Sequence, residues 1–152
     1  MIVVADTSPL NYLILIDEIE LLPALYDRVS IPHTVFAELQ RHQAPELVRA
    51  WAQSLPSWCE VHTVISIADP ALARLDEGER DAIMLALESG IDTLLIDEIE
   101  GRREAVRKRL HVLGTIAILE KAAQRGWIDF RAAFSHLGKT SFRLSAGFAT
   151  NF

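Results

Sequence analysis

Residues 2–9 read Ile-Val-Val-Ala-Asp-Thr-Ser-Pro, and this stretch sets the class of fold. Residues Ile2–Ala5 form a short apolar run rich in β-branched side chains, which is typical of a strand buried on both faces. Asp6 and the following Thr-Ser-Pro supply a helix N-cap residue and a proline that a first helical turn tolerates. The stretch predicts a buried strand that passes directly into a helix, with an acid at the junction.

The same alternation of strands and helices continues along the chain. Further strands are predicted at residues 29–31, 59–64, 93–96 and 111–113, helices at residues 10–16, 19–26, 33–41, 76–89, 99–110 and 115–125, and a looser segment at residues 51–58. Strands that alternate with helices imply parallel pairing through crossovers. The predicted fold is α/β, a three-layer sandwich with a mostly parallel central sheet of about five strands.

Length and composition indicate one domain in a reducing compartment. The 152 residues contain no repeat, no low-complexity tract and no Gly/Ser linker, so a single domain over residues 1–152 is expected, with residues 140–152 forming either a tail or an edge strand. The apolar runs are too short to cross a bilayer, and no secretory leader pattern follows Met1. Cys59 is the single cysteine, which excludes an intrachain disulfide and a thiolate zinc cage. We expect a cytoplasmic protein without membrane association.

The charge balance limits the kind of nucleic-acid partner that the chain can have. Its formal net charge is -6, so the protein has no general attraction to DNA or RNA. A simple nucleic-acid-coating role is therefore disfavoured. The balance still allows an enzyme whose acidic residues are concentrated in one site and neutralised there by a metal ion.

Four acids from distant parts of the sequence are predicted to meet at one edge of the sheet. Asp6 directly follows the first strand and Asp97 the fourth. Glu38 lies on the helix after the second strand, and Glu79 opens the helix that leads into the fourth. In open parallel sheets, functional sites form outside the carboxyl ends of the strands. We therefore expect a cluster of carboxylates at this edge.

Such a cluster needs a cation or a proton to be stable. Two carboxylates about 5 Å apart repel each other by roughly 3 kcal/mol at an effective dielectric constant near 20. Ligands that are all oxygen atoms favour hard cations such as Mg²⁺ or Mn²⁺ over zinc. A bound ion of this kind can activate a water molecule and neutralise charge on a phosphodiester. The acids thus predict metal-dependent phosphodiester hydrolysis.

The segments that carry these acids resemble those of a known family. They read Val-Val-Ala-Asp6-Thr-Ser-Pro-Leu, Ile-Pro-His-Thr-Val-Phe-Ala-Glu38-Leu, Asp-Glu-Gly-Glu79-Arg-Asp-Ala-Ile and Leu-Leu-Ile-Asp97-Glu. In order and spacing they are similar to the successive acidic motifs of the PIN-domain family, and the resemblance runs from about residue 2 to residue 127. The chain especially resembles bacterial and archaeal PIN proteins related to VapC-type toxins, which are metal-dependent ribonucleases paired with a small antitoxin.

The resemblance implies a function, a cofactor, partners and site residues. The chain would be a Mg²⁺- or Mn²⁺-dependent endoribonuclease and the toxin of a type II toxin–antitoxin pair, with RNA as its substrate and a small antitoxin protein as its partner. The metal-binding and catalytic acids would be Asp6, Glu38, Glu79 and Asp97. Asp6 and Asp97 would be inner ligands, Thr7 or Ser8 would fix the Asp6 loop by hydrogen bonding, and Thr115 would lie near the site.

Alternatives to the assigned acids remain open in the sequence. Asp81 lies two residues from Glu79, and Glu98 follows Asp97, so either neighbour could replace the assigned ligand. Each of the four acids also has a structural interpretation as a helix cap, a helix-dipole partner or a solvent-facing helix residue.

Alternatives to the function also remain. One is a catalytically silent PIN-like module that acts through protein contacts, and another is a DNA or structure-specific nuclease with the same acidic site. A basic cluster could guide an RNA backbone or be a solvated helix face with ion pairs; it comprises Arg102, Arg103, Arg107, Lys108 and Arg109. The apolar residues near the N-terminus belong either to the core or to a surface that contacts a partner, and we expect a homodimer. These apolar residues are Leu10, Leu13, Ile14, Leu21, Leu22 and Leu25.

Overall fold

The computed structural model of the chain describes residues 1–67 and 69–143, and its centre is one parallel sheet. The five strands are β1 (Ile2–Ala5), β2 (Arg28–Pro32), β3 (Cys59–His62), β4 (Thr93–Leu95) and β5 (His111–Leu113). They are ordered β3-β2-β1-β4-β5, and every neighbouring pair is parallel. The predicted five-stranded parallel sheet is confirmed.

Strand β1 lies in the middle of the sheet and explains the apolar run that opens the chain. Val3 pairs with Val29 of β2 on one side, and Val4 pairs with Leu94 of β4 on the other. Side chains alternate between the two faces of a strand. Val3 therefore belongs to the core on one face and Val4 to the core on the opposite face. A strand buried on both faces needs apolar residues at every position.

Helices cover both faces of the sheet, as the predicted three-layer sandwich requires. The described residues contain α1 (Thr7–Leu15), α2 (Leu21–Leu25), α3 (His33–Leu39), α4 (Glu46–Gln53), α5 (Glu77–Ser89), α6 (Ile99–Arg107), α7 (Thr115–Gln124) and α8 (Phe130–Gly138). Helices α5 and α6 pack with Val4 in one core, whereas the other six contribute buried residues to the core that contains Val3. Among the described helices, none has the length and apolar character that a bilayer crossing requires.

Two helices correct the sequence-based assignment. The predicted loose segment at residues 51–58 begins inside α4, whose Val48 and Ala52 are buried one turn apart. Helix α8 was not predicted, although Asp129 caps it by accepting a hydrogen bond from the Arg131 N–H at 3.1 Å. Of the predicted tail or edge strand at residues 140–152, the described part up to Arg143 contains no strand, and residues 144–152 lie outside the described residues.

Candidate active site

A cleft at the carboxyl edge of the sheet collects acidic side chains from the end of β1 and from the helices α3, α5 and α6 with their N-caps. It has a volume of about 280 Å³. The residues that line it are Asp6, Thr7, Ser8, Asn11, Tyr12, Glu38, Asp76, Glu79 and Glu98. Five of these nine carry a carboxyl group, and none of the described lining residues is a lysine or an arginine. The cleft is therefore a site of concentrated negative charge whenever its acids are ionised.

Asp6 is the most enclosed acid of the cleft. The end of β1 fixes it, because its backbone N–H donates to the Leu95 carbonyl at 2.9 Å, and only 4% of the residue is exposed. Asp6 occupies the N-cap position of α1, but its side chain makes no capping hydrogen bond. Burial raises the pKa of Asp6 well above its ordinary value; the Thr7 N–H partly offsets this, and repulsion from Glu79 and other nearby acids adds to it. The structure therefore disfavours a simple capping role for Asp6.

Glu38 is held by a hydroxyl group and by a glycine. The Thr7 Oγ1 donates a 2.5 Å hydrogen bond to Glu38 Oε2. The Glu38 carboxyl group also packs against Gly78, where an added Cβ would lie 3.0 Å from Glu38 Cδ. Burial raises the pKa of Glu38, the Thr7 hydrogen bond opposes that shift, and the charge of Asp76 adds to it. Glycine at position 78 thus leaves the space that Glu38 needs to reach the cleft.

Glu79 lies in the first turn of α5, beside Asp6. Its backbone N–H donates to the N-cap carboxylate of Asp76 at 2.8 Å, and only 7% of the residue is exposed. Burial raises the pKa of Glu79 to about 7, and the negative charges of Asp76 and Glu98 contribute to the increase. An added Cβ at Gly101 of α6 would lie 3.8 Å from Glu79 Cδ, which is ordinary contact. A sizeable fraction of Glu79 is therefore protonated near neutral pH.

Asp97 lies at the same edge but just outside the cleft lining. Its carboxylate accepts hydrogen bonds from Ser8 Oγ at 2.6 Å, from the Thr115 N–H at 2.7 Å and from Thr115 Oγ1 at 2.8 Å. An added Cβ at Gly114 would lie 2.8 Å from Asp97 Oδ1, so this position also needs a glycine. The burial of Arg102 lowers its pKa, and the nearby Asp97 opposes that shift. Three hydrogen bonds thus fix the position of Asp97, and one of them comes from Ser8, which lines the cleft.

The structure places the acids that the sequence left as rivals in different surroundings. Glu98 lines the cleft, whereas Asp81 does not and instead accepts a 2.8 Å hydrogen bond from Thr34 Oγ1. Asp76 lines the cleft and was missed, because its sequence position at the start of α5 indicates only an N-cap.

The two hydroxyl groups that follow Asp6 bind acids of other segments. The prediction is that Thr7 or Ser8 fixes the Asp6 loop by hydrogen bonding. Thr7 donates a hydrogen bond to Glu38, and Ser8 donates one to Asp97. The two residues after Asp6 therefore connect it to the acids of α3 and of the β4 end. Thr115 lies near the site, as expected, through its contact with Asp97.

The donor atoms of the cleft match a hard divalent cation. They are carboxylate, hydroxyl, phenol and amide oxygen atoms, which Mg²⁺ and Mn²⁺ prefer. Within residues 1–67 and 69–143, no group of three or more acidic, histidine or cysteine side chains already has the arrangement of a metal site. Burial is the largest cause of the raised pKa values of Asp6, Glu38 and Glu79, and repulsion from neighbouring acids adds to each of them. The residues fit such an ion chemically, and binding would require their side chains to adjust.

The basic cluster of α6 is largely neutralised by acids. Arg107 pairs with Glu104 at 2.5 Å, and Arg103 lies 3.5 Å from Glu100, each one turn away on the same helix. Lys108 pairs with Asp69 at 2.5 Å. These contacts favour the interpretation of the cluster as a solvated helix face with ion pairs. Arg102 differs from the others because it is half-buried next to Asp97.

Comparison with known proteins identifies one family. A family model for the PIN domain matches residues 2–152. The matched range includes all five strands and every acid of the cleft. No match was found among the curated proteins or among the solved structures.

Proposed function

Because the chain belongs to the PIN-domain family, whose members are generally nucleases, we propose that it is a metal-dependent ribonuclease that hydrolyses phosphodiester bonds of RNA. One observation carries the proposal: five acids from four separate segments line one cleft, and none of its described lining residues is a lysine or an arginine. A fold has no reason to gather so much like charge for stability alone, because neighbouring acids add to the burial that raises the pKa values of Asp6, Glu38 and Glu79. Such perturbed groups in a cleft are typical of functional sites.

In the proposed site, four acids supply the principal oxygen ligands of Mg²⁺ or Mn²⁺. They are Asp6, Glu38, Glu79 and Asp97, with Glu98 beside them in the lining of the cleft. When bound, the ion lowers the pKa of a water molecule and stabilises negative charge on the phosphate. Thr7 orients Glu38, while Ser8 and Thr115 orient Asp97. Glu79 must lose the proton that its raised pKa favours before it can bind the ion.

The substrate preference rests on resemblance together with one feature of the cleft. Tyr12 is the aromatic residue in the described lining, and it is partly exposed. Its hydroxyl group lies 3.0 Å from Ser141 Oγ, and its ring is edge-on to Phe142 at 5.1 Å. A ring fixed in this way offers a surface on which an unpaired base can stack. This supports a single strand rather than a duplex as the substrate.

Cleavage assays with matched variants test the nuclease. RNA and DNA oligonucleotides would be incubated with the protein in MgCl₂, MnCl₂ or EDTA, and compared with Asp6→Asn and with Asp81→Asn as the control, since Asp81 lies outside the cleft. We expect cleavage of RNA that requires the metal and is lost only in Asp6→Asn. Cleavage of DNA alone would identify a DNA nuclease. A folded protein with no cleavage and no Mn²⁺ binding by calorimetry would identify a silent interaction module.

The biological role that we propose is that of a type II toxin, paired with a small antitoxin and acting as a homodimer. This part of the proposal rests on the resemblance to VapC-type proteins. We expect that expression of the chain arrests bacterial growth, that Asp6→Asn removes the effect, and that the product of an adjacent small gene suppresses it. Normal growth during production of a demonstrably active enzyme would contradict the toxin role.

A further inference from the structure

A second cavity lies at the opposite edge of the sheet. Its volume is about 560 Å³, twice that of the acidic cleft. It is bordered by Met1 and by Thr93 and His111, which begin β4 and β5. The C-terminal ends of α2 and α7 close its sides. A volume in this range suits a small organic ligand, and the cavity shares no lining residue with the acidic cleft.

One residue that lines this cavity carries a buried hydroxyl group without a hydrogen-bond partner. Tyr26 lines it and is only 6% exposed, yet Tyr26 Oη makes no hydrogen bond. Among the described residues, the only other buried side-chain polar atom in this condition is Arg49 Nε. Leaving a buried hydroxyl unsatisfied costs about 1–3 kcal/mol. The hydroxyl of Tyr26 therefore points to a hydrogen-bonding partner that the chain itself does not supply.

The lining combines cationic groups with an apolar wall. Lys121 and Arg125 lie one turn apart at the end of α7. Burial raises the pKa of the Tyr26 phenol, and Arg125 is close enough that its charge partly opposes this increase. The guanidinium of Arg125 also lies 5.3 Å from the ring centroid of Trp127. Arg125 therefore lies near the unsatisfied hydroxyl group, Lys121 lines the same cavity, and both can approach an anion bound there.

Apolar and acidic residues complete the lining and narrow the class of ligand. Leu25, Val112 and Leu113 provide apolar surface, and Asp92 provides a carboxylate that accepts a hydrogen bond from Thr93 Oγ1 at 3.1 Å. A phosphate group would match the cations, while a planar heterocycle would match the apolar wall and could donate a hydrogen bond to Asp92 from an amino group or a ring N–H. Free phosphate would leave the apolar wall and the carboxylate without a partner.

We propose that the cavity between α2, α7 and the amino end of the sheet binds a nucleoside monophosphate, with its phosphate on Lys121 and Arg125 and a hydrogen bond from Tyr26 Oη. The same group occurs in a free nucleotide and at the 5′-phosphorylated end of an oligonucleotide. The site is separate from the acidic cleft and does not require the nuclease activity proposed above.

Calorimetric titration of the full chain in EDTA tests the site while the acidic cleft lacks metal. The ligands are AMP, UMP, adenosine, inorganic phosphate, and an oligonucleotide with a 5′-phosphate or a 5′-hydroxyl group. We expect AMP or UMP to bind about tenfold more tightly than adenosine or phosphate, because both halves of the ligand contribute. Binding of the 5′-phosphorylated oligonucleotide in preference to free nucleotide would identify an RNA end as the ligand, and the reverse would identify a free nucleotide.

Three variants locate the site. Arg125→Gln should weaken AMP binding about tenfold, whereas Arg131→Gln, on the exposed surface of α8, should leave it unchanged. Tyr26→Phe should melt at the same or a higher temperature without ligand, because it removes an unsatisfied hydroxyl, yet lose most of the AMP-dependent rise in melting temperature.

Four results would overturn the proposal. They are no saturable binding of AMP or UMP at millimolar concentration, equal affinity for phosphate and AMP, equal loss in both arginine variants, and a lower melting temperature of ligand-free Tyr26→Phe. The first would mean that Lys121 and Arg125 serve only to complement the dipole at the end of α7. The last would mean that the phenol already has a partner in the protein.

Discussion

Replacing Glu79 with glutamine should make the metal-free protein more stable at alkaline pH, although Glu79 belongs to the proposed active site. Burial raises the pKa of Glu79 to about 7 from an ordinary value of 4.5. The folded state therefore holds this proton more tightly than the unfolded state does. The stability that results is fully present below pH 4.5 and is lost as the pH rises through 7. Glutamine resembles the protonated form and should retain that stability at every pH.

The size of the effect follows from the shift in pKa. A change from 4.5 to about 7 is 2.5 units, and each unit corresponds to about 1.4 kcal/mol, so ionisation of Glu79 destabilises the fold by about 3 kcal/mol. Asp6 and Glu38 also have raised pKa values. The ionisation of these two acids therefore also lowers the free energy of unfolding of the wild type as the pH rises. The difference between the wild type and Glu79→Gln separates the part that belongs to Glu79.

Urea denaturation in EDTA at pH 4.5, 6 and 8, followed by circular dichroism, measures this difference. We expect the free energies of unfolding of wild type and Glu79→Gln to be similar at pH 4.5 and to differ by about 3 kcal/mol in favour of the variant at pH 8. Glu120→Gln, on the exposed side of α7, is the control and should follow the wild type. Saturating MnCl₂ at pH 8 should stabilise the wild type and have little effect on Glu79→Gln. A difference that does not change with pH would refute the burial argument.

Three further predictions concern the groups that position the acids and the release of protons when a metal ion binds. Gly78→Ala should lower the affinity for Mn²⁺ about tenfold in calorimetry, because the added methyl group displaces Glu38. The control is Gly138→Ala, where an added Cβ meets nothing within 4 Å, and it should leave the affinity unchanged. Equal affinities of the two variants would contradict the role of Gly78. Thr115→Val should reduce the RNA cleavage rate about tenfold through loss of its hydrogen bond to Asp97, and an unaltered rate in single-turnover assays would show that this bond is dispensable. Mn²⁺ binding at pH 6.5 should release a proton from Glu79, which appears as a binding heat that depends on the ionisation enthalpy of the buffer; identical heats in different buffers would contradict it.

The location of the strand-end acids can be predicted from the sequence, because it follows from the alternation of strands and helices. Asp6 and Asp97 each follow a short buried strand, and parallel neighbours must carry both residues to the same edge. The apolar run before each acid already contains this information. The same reasoning predicts the order of strands and helices in the centre of the chain. It fails for α4 and α8, each of which buries only two residues, Val48 and Ala52 in α4 and Ala133 and Leu137 in α8.

The remaining parts of the site depend on packing between distant segments. Asp76 has the sequence signal of a helix cap, and only the position of α5 beside α3 brings it into the cleft with Glu38. Asp81 looks equally suitable in the sequence, but it lies on the α5 surface that meets Thr34. Which face of a helix meets its neighbour is decided in three dimensions. Local spacing alone therefore could not choose between these acids.

Two glycines show how the fold keeps like charges together. Each lies against one acid: Gly78 against Glu38, and Gly114 against Asp97. Each glycine and its acid belong to segments that are far apart in sequence, so the role of the glycine can be seen only when the residue that it contacts is known. The absence of a Cβ lets the backbone of one element approach the carboxyl group of another. The acids are thereby held by packing even though their charges repel.

This arrangement implies that the acids reach their metal-binding state by different routes. Asp97 accepts three hydrogen bonds and is already oriented, so a cation changes little in its surroundings. Glu79 is buried and its pKa is raised to about 7, so near neutral pH it must release a proton when a cation binds. Nuclease activity should therefore rise with pH through the range in which Glu79 loses its proton, near pH 7. Glu79→Asp, which keeps the acid but shortens its reach, would move this rise if Glu79 controls it and leave it in place if another group does.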